Sequence, residues 1–263
     1  MNRKIWTLAL ILSVAACRAS ETQLFHHSGS ALPPDPAPQA SDLTIDQLLA
    51  KYVAARGGEQ KLKGLQSIKM TGTWEADSAV PATVWIAPGR YARRIAQGAQ
   101  VTMINVVDGQ TSWELNPRKG IVKPTPMPAK DTARFRRLAD PQGPLFDAKA
   151  KGDKIEVVGK QPLKSAQVYK IKVTSADGTV NYYYLDAKTF LPLRALGSQY
   201  VPQLDKNIGI EVSYGDFRDV GGVKFPFREA ASAPEANYSQ TLTWDKIEIN
   251  QPLDESAFKP PKS

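Results

Sequence analysis

The first strong pattern along the chain begins at Thr44. Ile45, Leu48, Leu49, Tyr52 and Val53 stand at i, i+3, i+4, i+7 and i+8, one apolar stripe on a helix reading TIDQLLAKYVAAR. Thr44 with Gln47 forms a capping-box pattern, and Gly57-Gly58 supplies the stop. A helix of this kind must lie on an apolar partner, so these five residues are the expected underside of a lid. From Gln66 the period falls to two: Ile68, Met70, Gly72 and Trp74 alternate with Lys69, Thr71, Thr73 and Glu75. Turn signals then recur at Pro88-Gly89, Asp108-Gly109, Asp177-Gly178, Asp186 to Thr189 and Gly221-Gly222, each between β-rich runs such as VTMINVV and QTSWEL. About ten to twelve strands joined in this way predict an antiparallel meander, not a parallel α/β sheet. PAKDTARFRRLAD, from Pro128 to Asp140, interrupts the strands as a second helix, and the last strand, QTLTWDKIEI, runs into NQPLDESAFKPP.

Twist prevents so many strands from staying flat. The expected fold is mainly β (α+β), a strongly curved, unclosed antiparallel β-barrel with helices covering its mouth. No internal repeat breaks residues 42–263, which read as one domain.

The chain opens MNRKIWTLALILSVAAC. Arg3 and Lys4 precede an apolar run from Ile5 to Val14, shorter than the roughly 20 residues a membrane-spanning helix needs. Residues 1–16 therefore read as an export signal. Val14-Ala15-Ala16-Cys17 resembles the lipobox of bacterial lipoproteins, which implies acylation of Cys17 and membrane attachment through it. The competing reading is an ordinary signal peptide that leaves a free cysteine. Arg18 stands where an aspartate often retains such lipoproteins at the inner membrane, so the resemblance points to the outer membrane. Residues 17–41, with Pro33, Pro34, Pro36 and Pro38, form the expected tether, reaching about 25–30 Å as a flexible coil. His26 and His27 lie in it and are expected to be solvated.

Composition narrows the chemistry. The 263 residues include 34 Lys+Arg against 26 Asp+Glu, a formal charge of +8, with one Cys and two His. A single cysteine excludes an internal disulfide framework and a multi-cysteine metal site. With both histidines in the tether and Cys17 acylated, Ser–His and Cys–His catalysis have no base in the domain. No P-loop, H-E-x-x-H, G-x-S-x-G or G-x-G-x-x-G is present, so no catalytic residue, metal or cofactor is expected. Asp216 and Asp219 share a turn region, most simply as solvated carboxylates. The tracts Arg93-Arg94 and Arg134, Arg136, Arg137 admit two readings, attraction of anionic lipid or a solvated face.

Six segments carry a family resemblance in this order: YVAARGGEQKLKGLQSIKMTGT, DGQTSWELNP, GPLFDAKAKGDKIEVVGK, YYYLDAKTFLPLR, GGVKFPFRE and IEINQPLDESAFKPP. Together, over about 45–261, they resemble the LolA/LolB/RseB-like group of outer-membrane lipoprotein-sorting proteins. The resemblance implies an unclosed barrel of about eleven strands and a cavity for acyl chains beneath a helical lid. It makes Met70, Trp74, Val84, Ile86, Met103, Ile171, Val173, Ile210, Val212, Leu242 and Trp244 the candidate cavity wall. It also implies acyl chains of lipoproteins or lipids as partners, with an envelope protein as a further one and no nucleic acid. The function it suggests is accepting or shielding acyl chains in the periplasm, in lipoprotein sorting; the alternative is a protein-interaction or stress-sensor module without lipid transfer. The loop Asp77-Ser78-Ala79-Val80-Pro81 is the candidate for the family's protruding apolar loop.

Overall fold

The computed structural model describes residues 35–201 and 206–261. The expected signal segment, Cys17, His26 and His27 lie outside them. Helix α1 (Ile45–Arg56) is closed by both halves of its capping box: the Gln47 N–H donates to Thr44 Oγ1 at 3.3 Å, and the Thr44 N–H donates to Gln47 Oε1 at 2.9 Å. Thr44→Ala is expected to cost about 1 kcal/mol in denaturant unfolding; a variant as stable as the parent would show that the cap does not hold α1. Gly57 ends the helix at a φ of 126°, and a Cβ there would stand 2.1 Å from the Gly222 carbonyl oxygen. The helix end is thus seated directly on a hairpin turn of the sheet. A short α2 (Glu59–Lys63) follows, an element the glycine pair had hidden.

The strands are β1 (Ile68–Glu75), β2 (Ala79–Ala87), β3 (Arg90–Gln97), β4 (Gln100–Asp108), β5 (Thr111–Asn116), β6 (Ile121–Pro126), β7 (Lys154–Leu163), β8 (Ala166–Thr174), β9 (Val180–Asp186), β10 (Pro192–Val201), β11 (Lys206–Val220), β12 (Val223–Ala233) and β13 (Tyr238–Ile249), with α3 (Ala129–Leu138) between β6 and β7. They form one 13-stranded sheet in the order β6-β5-β4-β3-β2-β1-β13-β12-β11-β10-β9-β8-β7. The first and last strands pair in its middle, and each arm is a plain run of hairpins. Its edges, β6 and β7, do not pair, so the barrel is unclosed. The count exceeds the expected eleven or so partly because β6, IVKPTP, carries Pro124 and Pro126. Prolines argue against a central strand, but an edge strand tolerates them.

Directly opposed residues share a face of a sheet, so register can be followed around the barrel. Met103 lies opposite Ile95, Arg93 opposite Val84, and Val84 opposite Met70. Trp74 opposes Leu242, Leu242 opposes Glu229, and Glu229 opposes Tyr214. Val212 opposes Ala195, Ala195 opposes Tyr183, and Tyr183 opposes Ile171. This is the concave face, because both lids pack on it. Phe135 of α3 joins Trp74, Val84, Ile95, Leu242 and Trp244 in one buried cluster, with Met70, Ile86 and Met103 packed at its margin. Leu48 and Tyr52 of α1 join Ile155, Tyr169, Ile171, Val173 and Leu185 in another.

The ends of the described chain cover the convex face. Phe258 packs with Trp85, Trp113 and Leu115, while Arg90 lies 4.1 Å above the Phe258 ring and binds both Asp108 and Glu255. At the other end Asp35 accepts hydrogen bonds from Lys170 Nζ at 2.7 Å, from the Tyr184 hydroxyl and from Arg194. Gln39 pairs with Lys160 on edge strand β7, through two hydrogen bonds of 2.8 Å. Residues 35–41, expected to be tether, are instead fixed on the sheet. Polar side chains within a proline-rich stretch give no sequence periodicity, which is why this docking was not anticipated.

Candidate functional site

The register brings all eleven predicted wall residues onto the concave face, but the packing divides them. Trp74, Val84, Ile171, Val173, Leu242 and Trp244 are buried in the two clusters; Met70, Ile86 and Met103 are partly buried at the margin of one; Ile210 and Val212 are partly buried and belong to neither cluster. Of the lid residues, Leu48 and Tyr52 are buried against the sheet, while Ile45, Leu49 and Val53 are less deeply placed. The expectation of unfilled space directly under α1 is therefore corrected. Side chains meet there, because Tyr52 and Leu48 are large enough to reach Ile171 and its neighbours.

Open concave surface lies between the clusters. Tyr183, Ala195, Gly197, Ile210, Val212, Tyr214, Glu229 and Ala231 are all half buried, forming a trough across β9 to β12. Small residues on β10 and β12, Ala195, Gly197 and Ala231, border Ile210 and Val212, and the Asn181 side chain stands over Gly197. The ionisable groups here touch solvent yet are enclosed by protein. Burial pushes the Tyr214 hydroxyl well above its usual range, and the neighbouring Tyr183, Glu229 and Tyr52 push it further. Tyr183 is raised for the same first reason, with Tyr52 adding to it. Burial also raises Glu229, against the pull of a hydrogen bond from Trp244 Nε1 at 3.0 Å and of the Arg93 charge. Glu229 and Arg93 stand four strands apart in the sheet, so their interaction runs across the interior.

Arg93 and Arg134 are the functional candidates that sequence reading missed as interior groups. Adjacent strand residues face opposite sides, so Arg93 and Arg94 cannot share a surface. Arg94 is exposed, whereas Arg93 donates to Asn105 Oδ1 at 2.8 Å on the concave face. The apolar neighbours Tyr91 and Ile95 on the same side of β3 were the usable signal. On α3 the tract also splays: Arg136 is exposed, Arg137 pairs with Asp177 at 2.7 Å, and Arg134 lies 4.3 Å from the Phe135 ring centroid. The Asp77 loop is an exposed hairpin tip, tied at Asp77 to Arg118 at 3.1 Å. Asp216 pairs with Arg218, and Asp219 accepts from the Gly222 N–H, so both are engaged at the surface.

A separate cleft of about 350 Å³ opens between α1 and the segment 145–150, lined by Leu49, Val53, Leu145 and Phe146, with Glu59, Asp147 and Lys149 supplying charge. No trough residue lines it. The trough is the stronger candidate, because it joins apolar surface to enclosed ionisable groups on the concave face of the sheet. Among the described residues no cluster of His, Cys, Asp and Glu is placed to hold a metal ion. No described helix is long and apolar enough to cross a membrane.

A single antiparallel sheet curled into an open barrel, with one helix from its start and another from the link between its edges, defines a LolA-like half-barrel. The chain is similar in fold to a LolA superfamily protein from Nitrosomonas europaea, at a TM-score of 0.54 and 12% identity over 82% of this chain and 98% of the other. It is similar to a DUF1329 family protein from Desulfovibrio piger, at 0.55 and 10% identity over 82% and 97%. A third likeness, to an outer membrane lipoprotein-sorting protein domain from Vibrio parahaemolyticus, has a TM-score of 0.55 and 12% identity over 82% and 95%. No family model and no curated protein sequence matches the chain.

Proposed function

We propose that the protein is a non-catalytic binding protein of the bacterial cell envelope, held at the outer membrane through a lipidated Cys17 and facing the periplasm. It accepts or shields acyl chains on the concave face of its half-barrel. The observation that carries this reading is the trough: apolar surface at Ile210 and Val212, on the inner wall of a barrel, left only partly buried and outside both packed clusters. Burial of one CH₂ is worth about 0.8 kcal/mol, so a chain of about fifteen methylenes gains roughly 12 kcal/mol on leaving water. A flat patch cannot supply that burial, whereas a curved wall closed by a lid can. Met70 and Met103 at the cluster margin suit a lining that repacks around a guest. The fold shared with the Vibrio lipoprotein-sorting domain supports a lipoprotein's acyl chains as cargo.

Lipid extraction and native mass spectrometry of protein purified from membranes should detect bound acyl species. Val212→Glu is expected to lower their occupancy at least tenfold while circular dichroism stays unchanged, since the side chain is only partly buried and outside both clusters. Val84→Glu is the wrong probe, because Val84 is 3% exposed and a charge there costs the fold itself. Equal occupancy in Val212→Glu and the parent would overturn the reading.

A further inference from the structure

At one side of the concave interior two guanidinium groups flank a single ring. Arg134 lies 4.3 Å and Arg93 5.5 Å from the Phe135 ring centroid. Phe135 is held in turn by Tyr91, with ring centroids 5.5 Å apart. Burial disfavours the charged form of Arg134, and the Arg93 charge disfavours it further, a repulsion that an anion between them would relieve. The protein supplies little compensation. Arg93 spends its Nη2 on neutral partners, Asn105 Oδ1 at 2.8 Å and Met103 Sδ at 3.0 Å. Arg134 has one carboxylate, Asp131, at 3.4 Å. Nε of both residues is buried without a hydrogen-bond partner. Glu229 faces Arg93 across the interior but, among the described residues, forms no ion pair with it, and burial favours its neutral form. Arg118, a third cation acting on Tyr238 together with Arg93 and Arg134, is already paired with Asp77.

We propose that Arg93 and Arg134 form the head-group site of an anionic amphiphile, a phosphate or carboxylate attached to acyl chains that lie along the trough. This rests on the acyl-binding function above and narrows it, because a neutral diacylglycerol would leave the two cations unmatched. Met103 touches Arg93 through its sulfur and packs against the larger apolar cluster, while the trough residue Glu229 faces the Arg93 charge across the interior. Guanidinium groups already held near an aromatic ring lose little freedom when they meet an oxyanion, and a guanidinium can present parallel donors to it.

The test uses protein purified from membranes in neutral detergent and stripped of lipid. Its probes are dipalmitoyl phosphatidylglycerol, dipalmitoylglycerol, palmitate, palmityl alcohol and inorganic phosphate, with bound species read by native mass spectrometry. The parent should retain phosphatidylglycerol at least tenfold over dipalmitoylglycerol, and palmitate over palmityl alcohol if a carboxylate serves equally. Arg93→Gln and Arg134→Gln should each lose most of that preference while dipalmitoylglycerol binding is kept. Arg134→Gln is the safer variant, since part of its side chain reaches solvent; circular dichroism checks both. Equal retention of charged and neutral lipid, or an undiminished preference in both variants, overturns the head-group site and leaves acyl binding standing. If no lipid binds at all, both readings fall; if inorganic phosphate alone binds as tightly as the lipid, the site takes free anions and the amphiphile is overturned.

Discussion

Replacing Trp244 with alanine is expected to remove about 3–5 kcal/mol of folding stability, a large share of what a domain of this kind possesses. Trp244 sits on β13 at 2% exposure, within the larger concave cluster, and opposes Gly72. A Cβ on Gly72 would stand 2.0 Å from the Thr243 carbonyl oxygen, so β1 and β13 are pressed together beside the indole and cannot move in to fill the void. Alanine also strips the enclosed Glu229 of its Nε1 donor, adding about 1–3 kcal/mol. Trp244→Phe separates the two effects, keeping most of the ring and losing the donor. Its deficit should be smaller, and smaller still below the Glu229 titration. Burial raises Glu229 above its unfolded value and the indole donor lowers it, so without that donor the charged form suffers most and the protonated form least. Guanidinium unfolding at pH 8 and pH 4 reads both quantities. A phenylalanine variant as stable as the parent at pH 8 would show that Glu229 does not depend on Trp244.

Alternation along the strands made the concave face legible. Met70, Trp74, Val84, Leu242 and Trp244 share it because a strand offers its apolar residues to one side only, and this parity survives any curvature of the sheet. What parity cannot say is which positions on that face are filled. Ile171 and Ile210 have the same character in sequence, yet α1 closes on the first and leaves the second only partly buried. That difference is set by where a helix lands and by the small residues Ala195, Gly197 and Ala231 beside the trough. Arg93 was readable from its strand parity, but as one of an adjacent pair of arginines it looked like surface. Asp35 was not readable at all, since its partners Lys170, Tyr184 and Arg194 come from three strands that meet only through the fold.

Removing the Asp35 carboxylate is expected to cost roughly 2 kcal/mol at neutral pH and far less in acid. Side-chain exposure is only 16% at Asp35, 14% at Lys170 and 12% at Arg194. Burial by itself would raise the Asp35 pKa, but hydrogen bonds from Lys170, Tyr184 and Arg194 outweigh it and bring the group from 3.8 down to about 2. A depressed carboxylate stabilises the folded state fully above its unfolded value, and that contribution is lost as the pH falls from about 3.8 through about 2. The gap between the parent and Asp35→Asn in urea unfolding should therefore be constant from pH 7 to pH 5 and close at lower pH. In the variant Arg194 keeps Glu211 at 3.4 Å, and Lys170 keeps ring contacts with Tyr182 and Tyr184 but no carboxylate among the described residues, so the segment 35–41 should detach before the barrel unfolds. Limited proteolysis within that segment, together with faster amide exchange at Lys160 where Gln39 is paired, reports the release. A gap that stays the same down to pH 2 would mean that the asparagine is destabilising through lost packing, and that the charge of Asp35 does not fasten the amino-terminal end of the domain to its sheet.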